Sequence, residues 1–298
     1  MELTSYGVTQ KVSDVLYHYT GREAFESIMS HKSGIDFFAT HYLSLNDDRE
    51  YTLGCEFALK WLRGKSQLSK ASIKVIEERL HNKIEFDESP WILSFTENYD
   101  RAEHWMAYSS HEKGGVAIGL SADMIRDVSE KIDARIKSMS MKSESQWIGG
   151  SVFAPCIYTN EKSHYPPAKF IRMLDYVFSQ HESFFPLLNR EPARYARFCA
   201  RHITKIISLL KDDEFRFEKE CRLVVFPCEN ATRNEVRLIG DKPRLSLKHV
   251  FRDKSIVNGV IISPHGQKEL IAMSAEIVKS KYDYGYDVIK SQSNYNGK

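Results

Sequence analysis

The sequence predicts an α+β protein: one domain over residues 1–298, with a mixed or antiparallel sheet of short strands and helices around it. Three observations lead there. Short apolar runs are interleaved with helical periodicities, without a regular βαβ repeat. No internal repeat and no linker-like stretch divides the chain. The 298 residues, 42% hydrophobic and 12% aromatic, suffice for a substantial core.

The elements follow from periodicity. Residues 15–19 read as a strand and 22–31 as a helix buried through Phe25, Ile28 and Met29. Residues 50–63 form a second helix with Phe57, Trp61 and Leu62 inward. Asp47, three positions before Glu50, matches a capping box with Asp in place of Ser or Thr. Residues 69–84 carry the stripe Ile73, Ile76, Leu80, Ile84 of a third helix. Strands are expected at 91–95 and 116–120, around a helical turn at Trp105. The aperiodic stretch 138–145 reads as a loop. Residues 166–210 read as two long helices broken near Asn189-Arg190-Glu191-Pro192, a helical insertion over about 165–211. Strands resume at 215–226, 259–263 and 286–291, with a helix over 267–281 between the last two.

Composition excludes several classes. A formal charge of +2 does not fit a protein that coats nucleic acid. No stretch approaches the ~20 apolar residues of a membrane span. The N-terminus lacks the cationic and apolar regions of a secretory signal, so a soluble, cytoplasmic protein is expected. The five cysteines (Cys55, Cys156, Cys199, Cys221, Cys228) form no CxxC pair and read as buried, reduced thiols. No metal is expected. The histidines show no HxH or HExxH pattern. Asn46, Asp47, Asp48 and Glu50 lack calcium-loop spacing, and helix capping explains Asp47 and Glu50.

Three segments carry candidate chemistry. In Leu16-Tyr17-His18-Tyr19-Thr20, a histidine near a strand end can bond a ligand between stacking tyrosines, or simply satisfy a backbone carbonyl. In Leu93-Ser94-Phe95-Thr96-Glu97, Ser94 and Thr96 share a strand face, about 6.6 Å apart. Trp105 and Tyr108 then share a helix face, as a stacking pair or as core. In Phe215-Arg216-Phe217-Glu218-Lys219-Glu220-Cys221-Arg222-Leu223, alternation points Glu218 and Glu220 one way with Arg216 and Arg222. Two such carboxylates suit a sugar transfer, one stabilising an oxocarbenium-like centre and the other serving the acceptor. A solvated charged face is the alternative. Separately, Arg190, Arg194, Arg197, Arg201 and Lys205 form a helical basic stripe, expected to be exposed near the cleft mouth, for a nucleic-acid backbone or as a solvated face.

Taken in order, these motifs resemble the domain-of-unknown-function 2971 family. Tyr17-His18-Tyr19-Thr20, Asn46-Asp47-Asp48-Arg49-Glu50, Leu93-Ser94-Phe95-Thr96-Glu97-Asn98, Trp105 with Tyr108, Gly114 to Gly119 and Phe217 to Arg222 carry the likeness over about residues 15–292. The family's motifs in turn resemble the ADP-ribosyltransferase fold more distantly. That resemblance implies an ADP-ribosyltransferase-like core and NAD as substrate, in a bacterial toxin or antiphage effector. It makes Glu220 the catalytic carboxylate and Glu218 the acceptor-side acid. His18 would hold the ribose, with Tyr19 and Thr20 beside it, and Ser94, Thr96, Trp105 and Tyr108 would complete the NAD site. The acceptor would be nucleic acid, protein or water. The alternative is a non-catalytic module sensing a nucleotide or nucleic acid. Either way, His18, Ser94 or Thr96, Tyr108 and Glu220 are expected to converge on one cleft.

Overall fold

The computed structural model describes residues 1–45, 49–81, 89–140, 150–160, 163, 165–179, 184–227, 235–239, 242–248 and 250–295. In chain order a hairpin of β1 (Glu2–Ser5) and β2 (Val8–Lys11) precedes β3 (Val15–Gly21), α1 (Arg22–Met29) and β4 (Phe38–His41). Helices α2 (Arg49–Arg63) and α3 (Lys70–His81) lead to β5 (Trp91–Thr96), α4 (Ala102–Tyr108), β6 (Gly115–Ser121) and α5 (Ala122–Ser140). Next come β7 (Gly150–Pro155), β8 (Ile157–Thr159), α6 (Ala168–Ser179), α7 (Phe184–Arg190), α8 (Pro192–Ile207) and β9 (Leu210–Asp212). The chain continues through β10 (Glu220–Phe226), β11 (Val236–Ile239), β12 (Lys242–Ser246), β13 (Val257–Ile262), α9 (Lys268–Tyr282) and β14 (Asp287–Lys290).

The class is α+β, as expected. Among the described residues ten strands make one mixed sheet in which only β13 and β14 run parallel, while β8 and β9 pair apart from it. Its main order is β11-β12-β4-β5-β3-β6-β13-β14, and β10 and β7 continue from β5 as a branch. Strands from residue 15 to residue 290 therefore share one sheet. β5 and β10 are buried along nearly their whole length, which explains their almost unbroken apolar runs.

The sheet lies between two helical layers. On one face α1, α5 and α9 cover a continuous apolar cluster reaching from Leu245 through Ala39, Trp91, Leu93 and Leu16 to Val260 and Ile262. On the other face α2, α3, α6 and α8 cover Ile92, Val224 and Val152 with Phe57, Trp61, Phe170, Ile203 and Ile206.

β5 is where the sheet forks. One edge pairs with β10 from Trp91 to Thr96. The other edge pairs with β4 at Trp91 and Ile92, but with β3 at Thr96. Between these contacts the Ser94 carbonyl accepts a hydrogen bond from His18 Nδ1 at 3.0 Å. His18 sits edge-on to Phe37 and Phe95, and burial and the nearby Arg244 charge keep its imidazole pKa low despite that bond.

Several expectations need correction. The strand assigned to 215–226 begins only at Glu220, because Asp213–Glu218 is a 3-10 helix whose first free N–H, at Glu214, is capped by Asp212. Lys219 then turns left-handed with φ 45° and breaks the alternation, leaving Phe217 exposed. The 166–210 stretch is three helices rather than two. Its break at Glu191 falls where Pro192 starts α8. The expected loop at 138–145 is helical through Ser140, and residues 141–145 lie outside the described residues. Asn46, Asp47 and Asp48 also lie outside them, so the capping box is not described.

Gly114 and Gly266 bring the start of β6 against the turn after β13. Both have positive φ, and a Cβ on Gly266 would lie 2.3 Å from the Gly114 nitrogen. We expect Gly266→Ala to cost about 1–3 kcal/mol, from strain and a backbone clash. Chemical denaturation against wild type checks this, and an unchanged midpoint would contradict the packing.

Candidate active site

The register of the sheet assembles the site. Directly paired residues point to one face, so Tyr17, Thr96 and Glu220 form a row across β3, β5 and β10. Ser94 and Arg222 form the next row on the same face. On one side of this band lies the apolar group Tyr19, Trp105, Ala117 and Ile261; on the other lies the cluster around Ile92 and Val224. A polar band thus interrupts one face of the sheet, while the opposite face is continuously apolar.

Four charges occupy the band. Lys211 on β9 bridges Glu218 at 2.6 Å and Glu220 at 2.5 Å. Arg222 holds Glu220 through Nε at 2.9 Å and donates to the Ser208 and Leu210 carbonyls, both at 2.9 Å. The group is buried and balanced, two cations against two carboxylates. Burial alone would raise the Glu220 carboxyl, but Arg222 and Lys211 outweigh it and hold its pKa at about 2. Burial pulls Lys211 down, yet Glu220 and Glu218 leave it raised.

Backbone contacts fix the turn that brings Glu218 in. Thr96 Oγ1 donates to the Glu218 carbonyl, and the Asn98 side chain donates to the Phe217 carbonyl at 2.5 Å. The Glu220 N–H donates to Tyr158 Oη at 2.8 Å. Tyr108, half-exposed, places its hydroxyl 3.4 Å from each Glu218 oxygen, and burial pushes its pKa up to about 12. His104 is buried beside it, and burial lowers its pKa against the pull of Glu218.

Thr96, Tyr108, Glu218 and Glu220 therefore come together, with Ser94 one row away. His18 does not join them. Its ring lies with Phe37 and Phe95, on the other face from Thr96 and Glu220, because β3 alternates and Tyr17 takes the site side. Thr20, two residues on and paired with Val116, shares the face of His18 and does not join them either. Tyr19 and Trp105 are buried against each other at 4.7 Å between ring centres. The Trp105 indole bonds Asp100 at 2.8 Å, and Tyr19 bonds the Asn98 carbonyl, so both are packing residues.

The basic stripe also changes character. Arg201 and Lys205 are only 6% and 7% exposed, since α8 turns that side toward the sheet, where Lys205 lies over Phe226. Arg190 is exposed, and the side chains of Arg194 and Arg197 lie outside the described residues. The sequence reading missed Lys211, Asn98 and Tyr158 as site residues, and named Arg222 only as a neutralising charge. Lys211 was hidden beside Asp212-Asp213-Glu214, a cluster that reads as a solvated run.

Cys55, Cys156, Cys199 and Cys221 are buried and free, whereas Cys228 lies outside the described residues. Among the described residues no three His, Cys, Asp or Glu side chains gather as a metal site would need, and no helix is long and apolar enough to cross a membrane. The comparisons find no relative: no family model matches the chain, and neither a curated protein nor a solved structure aligns significantly with it.

Two outcomes follow from the charge network. Lys211→Met leaves Glu218 without its cation and Glu220 with Arg222 alone, and should cost about 3–5 kcal/mol in a denaturant titration. The Glu220 pKa is depressed from 4.5 to about 2, so its stabilisation is present above pH 5 and lost as pH falls toward 2. Wild type should therefore lose stability across that window more steeply than Glu220→Gln; equal slopes would contradict the pairing.

Proposed function

We propose that the chain is an NAD-using enzyme of the ADP-ribosyltransferase type, passing ADP-ribose to a macromolecule or to water, with the polar band as its cleft. The observation that carries this is the meeting of Glu220, Glu218, Thr96 and Tyr108 on a sheet face otherwise covered by apolar packing. Cleaving the nicotinamide–ribose bond builds positive charge on the ribose, and a carboxylate kept ionised at neutral pH stabilises that charge. Glu220 takes this role. Glu218, nearer the mouth with Tyr108, serves the acceptor, while Ser94, Thr96 and Tyr17 line the ribose side. His18 acts indirectly, as the residue that positions Ser94 at the fork. The resemblance of the ordered motifs to the domain-of-unknown-function 2971 family suggests the same reading, together with a cytoplasmic role as a bacterial toxin or antiphage effector.

A second reading has its own observation. Both Glu220 oxygens are engaged by Arg222 and Lys211, as in a structural ion pair. This favours a non-catalytic module that senses a nucleotide in the same cleft.

Nicotinamide release and transfer of labelled ADP-ribose separate the two. We expect Glu220→Gln to lower turnover by at least about 100-fold while NAD binding persists. Glu218→Gln should impair transfer more than hydrolysis. Circular dichroism must accompany both, because each substitution touches the buried network. Full turnover in folded Glu220→Gln would end its catalytic assignment, and wild type that binds but never consumes NAD would favour the sensing module.

A further inference from the structure

The cations deep in the band are matched by carboxylates, but those at its outer margin are not. β12 carries Lys242 and Arg244 on the same face as Thr40 and Ile92, since Arg244 pairs with Thr40 and Thr40 with Ile92. On its other edge Arg244 lies directly opposite Arg237 of β11. Like charges placed directly across a ladder repel. Among the described residues Arg237, Lys242 and Arg244 have no carboxylate partner, in contrast to Lys211 and Arg222. Arg244 donates only to the Thr40 hydroxyl, which keeps its own proton to donate. The Arg244 guanidinium is half-buried, and its partner Thr40 pairs with Ile92, the last residue of β5 that β4 reaches before the fork.

We propose that Arg244, with Arg237 and Lys242, forms a phosphate-binding site at the fork, holding the phosphates of a nucleotide whose other end reaches Thr96 and Glu220. The second half of this statement rests on the cleft proposed above. A phosphate satisfies what the geometry leaves open: two guanidinium groups that pair bidentately with oxyanions, the Thr40 hydroxyl beside Arg244, and the Ser94 hydroxyl on the same face two residues beyond Ile92. Its charge also relieves the Arg237–Arg244 repulsion. Arg244 and Glu220 lie three strand spacings apart across the sheet, roughly 14 Å at about 4.8 Å each, and four residues apart along it, roughly 13 Å at about 3.3 Å each, a diagonal of roughly 19 Å between backbones. A dinucleotide spans that separation, whereas inorganic phosphate occupies the arginine end alone.

Titration calorimetry on the full chain tests this with ADP-ribose, inorganic pyrophosphate and a short single-stranded oligonucleotide as probes. Wild type should bind ADP-ribose and pyrophosphate with affinity that falls as salt rises. Arg244→Gln and Arg237→Gln should each weaken both by about tenfold or more, with Arg244→Lys retaining part of the affinity. Arg237 is exposed, so its variant keeps the test valid if Arg244→Gln folds poorly. Unchanged affinities in the variants, or no pyrophosphate binding by wild type, would overturn the site. So would a loss confined to the oligonucleotide, which would make the hairpin a backbone-binding surface. NAD turnover in the same samples separates the two proposals. Arginine-dependent ADP-ribose binding without turnover upholds the phosphate site and removes the enzyme. Normal turnover and binding in the double variant removes only the phosphate site.

Discussion

The strand Trp91–Thr96 has more hydrogen-bonding partners than a single straight ladder can serve. Its β10 edge is saturated from end to end, while its other edge is divided between β4 and β3. Two strands cannot occupy the same edge, so they diverge and leave the Ser94 carbonyl between them. A buried carbonyl without a partner is costly, and the His18 ring supplies the missing donor. The band of polar residues runs beside this fork, and Tyr17, Ser94, Thr96, Glu220 and Arg222 take their positions from the register of the strands that meet there.

The same constraint explains why the band can be polar at all. Helices α2, α3, α6 and α8 pack over the lower rows of β5, β10 and β7, while α4 packs over β3, β6 and β13. The rows between are covered instead by β9 and the 3-10 turn, which bring Lys211 and Glu218 against Glu220 and Arg222. Charged groups there are buried, so they persist only when paired. Lys211, Arg222, Glu218 and Glu220 meet that condition by neutralising one another, tying β9, β10 and the 3-10 turn into one unit. At the hairpin edge, where water still reaches, Arg237 and Arg244 tolerate incomplete pairing. Charge matched inside and unmatched at the rim is an arrangement that attracts an anion inward from the hairpin end.

Much of the fold was legible in the chain. The spacing of Phe25, Ile28 and Met29 marked α1, Pro192 marked the start of α8, and the runs at 91–95 and 116–120 lay within β5 and β6. Weakly patterned elements were missed. β7, β8, β9, β11 and β12 are short, and their apolar runs owe more to position in the sheet than to any periodicity. α5 carries its core residues Ile125, Val128 and Ile132 at helical spacing, but the Ser-, Met- and Lys-rich stretch after it drew the reading toward a loop. Of the residues expected to converge, His18 stays apart. Glu218, Glu220, Thr96 and Tyr108 do meet, yet Glu218 arrives through a left-handed Lys219 rather than along a strand.

What the sequence by itself determined is the class of protein and the identity of its central strands and amphipathic helices, because periodicity records which side of an element is buried. It also marked Glu218 and Glu220 as a carboxylate pair accompanied by Arg216 and Arg222. Only the tertiary structure decided which face each side chain takes and what neutralises it. Alternation separates neighbours such as Tyr17 and His18, but it cannot say which of the two meets Glu220 until the register with β5 is set. Nor can it say that Lys211, Arg222 and Tyr158 gather around that carboxylate, or that Arg201 and Lys205 turn inward. Those outcomes depend on pairings between residues far apart in the chain, and long-range register is the information that local sequence pattern does not carry.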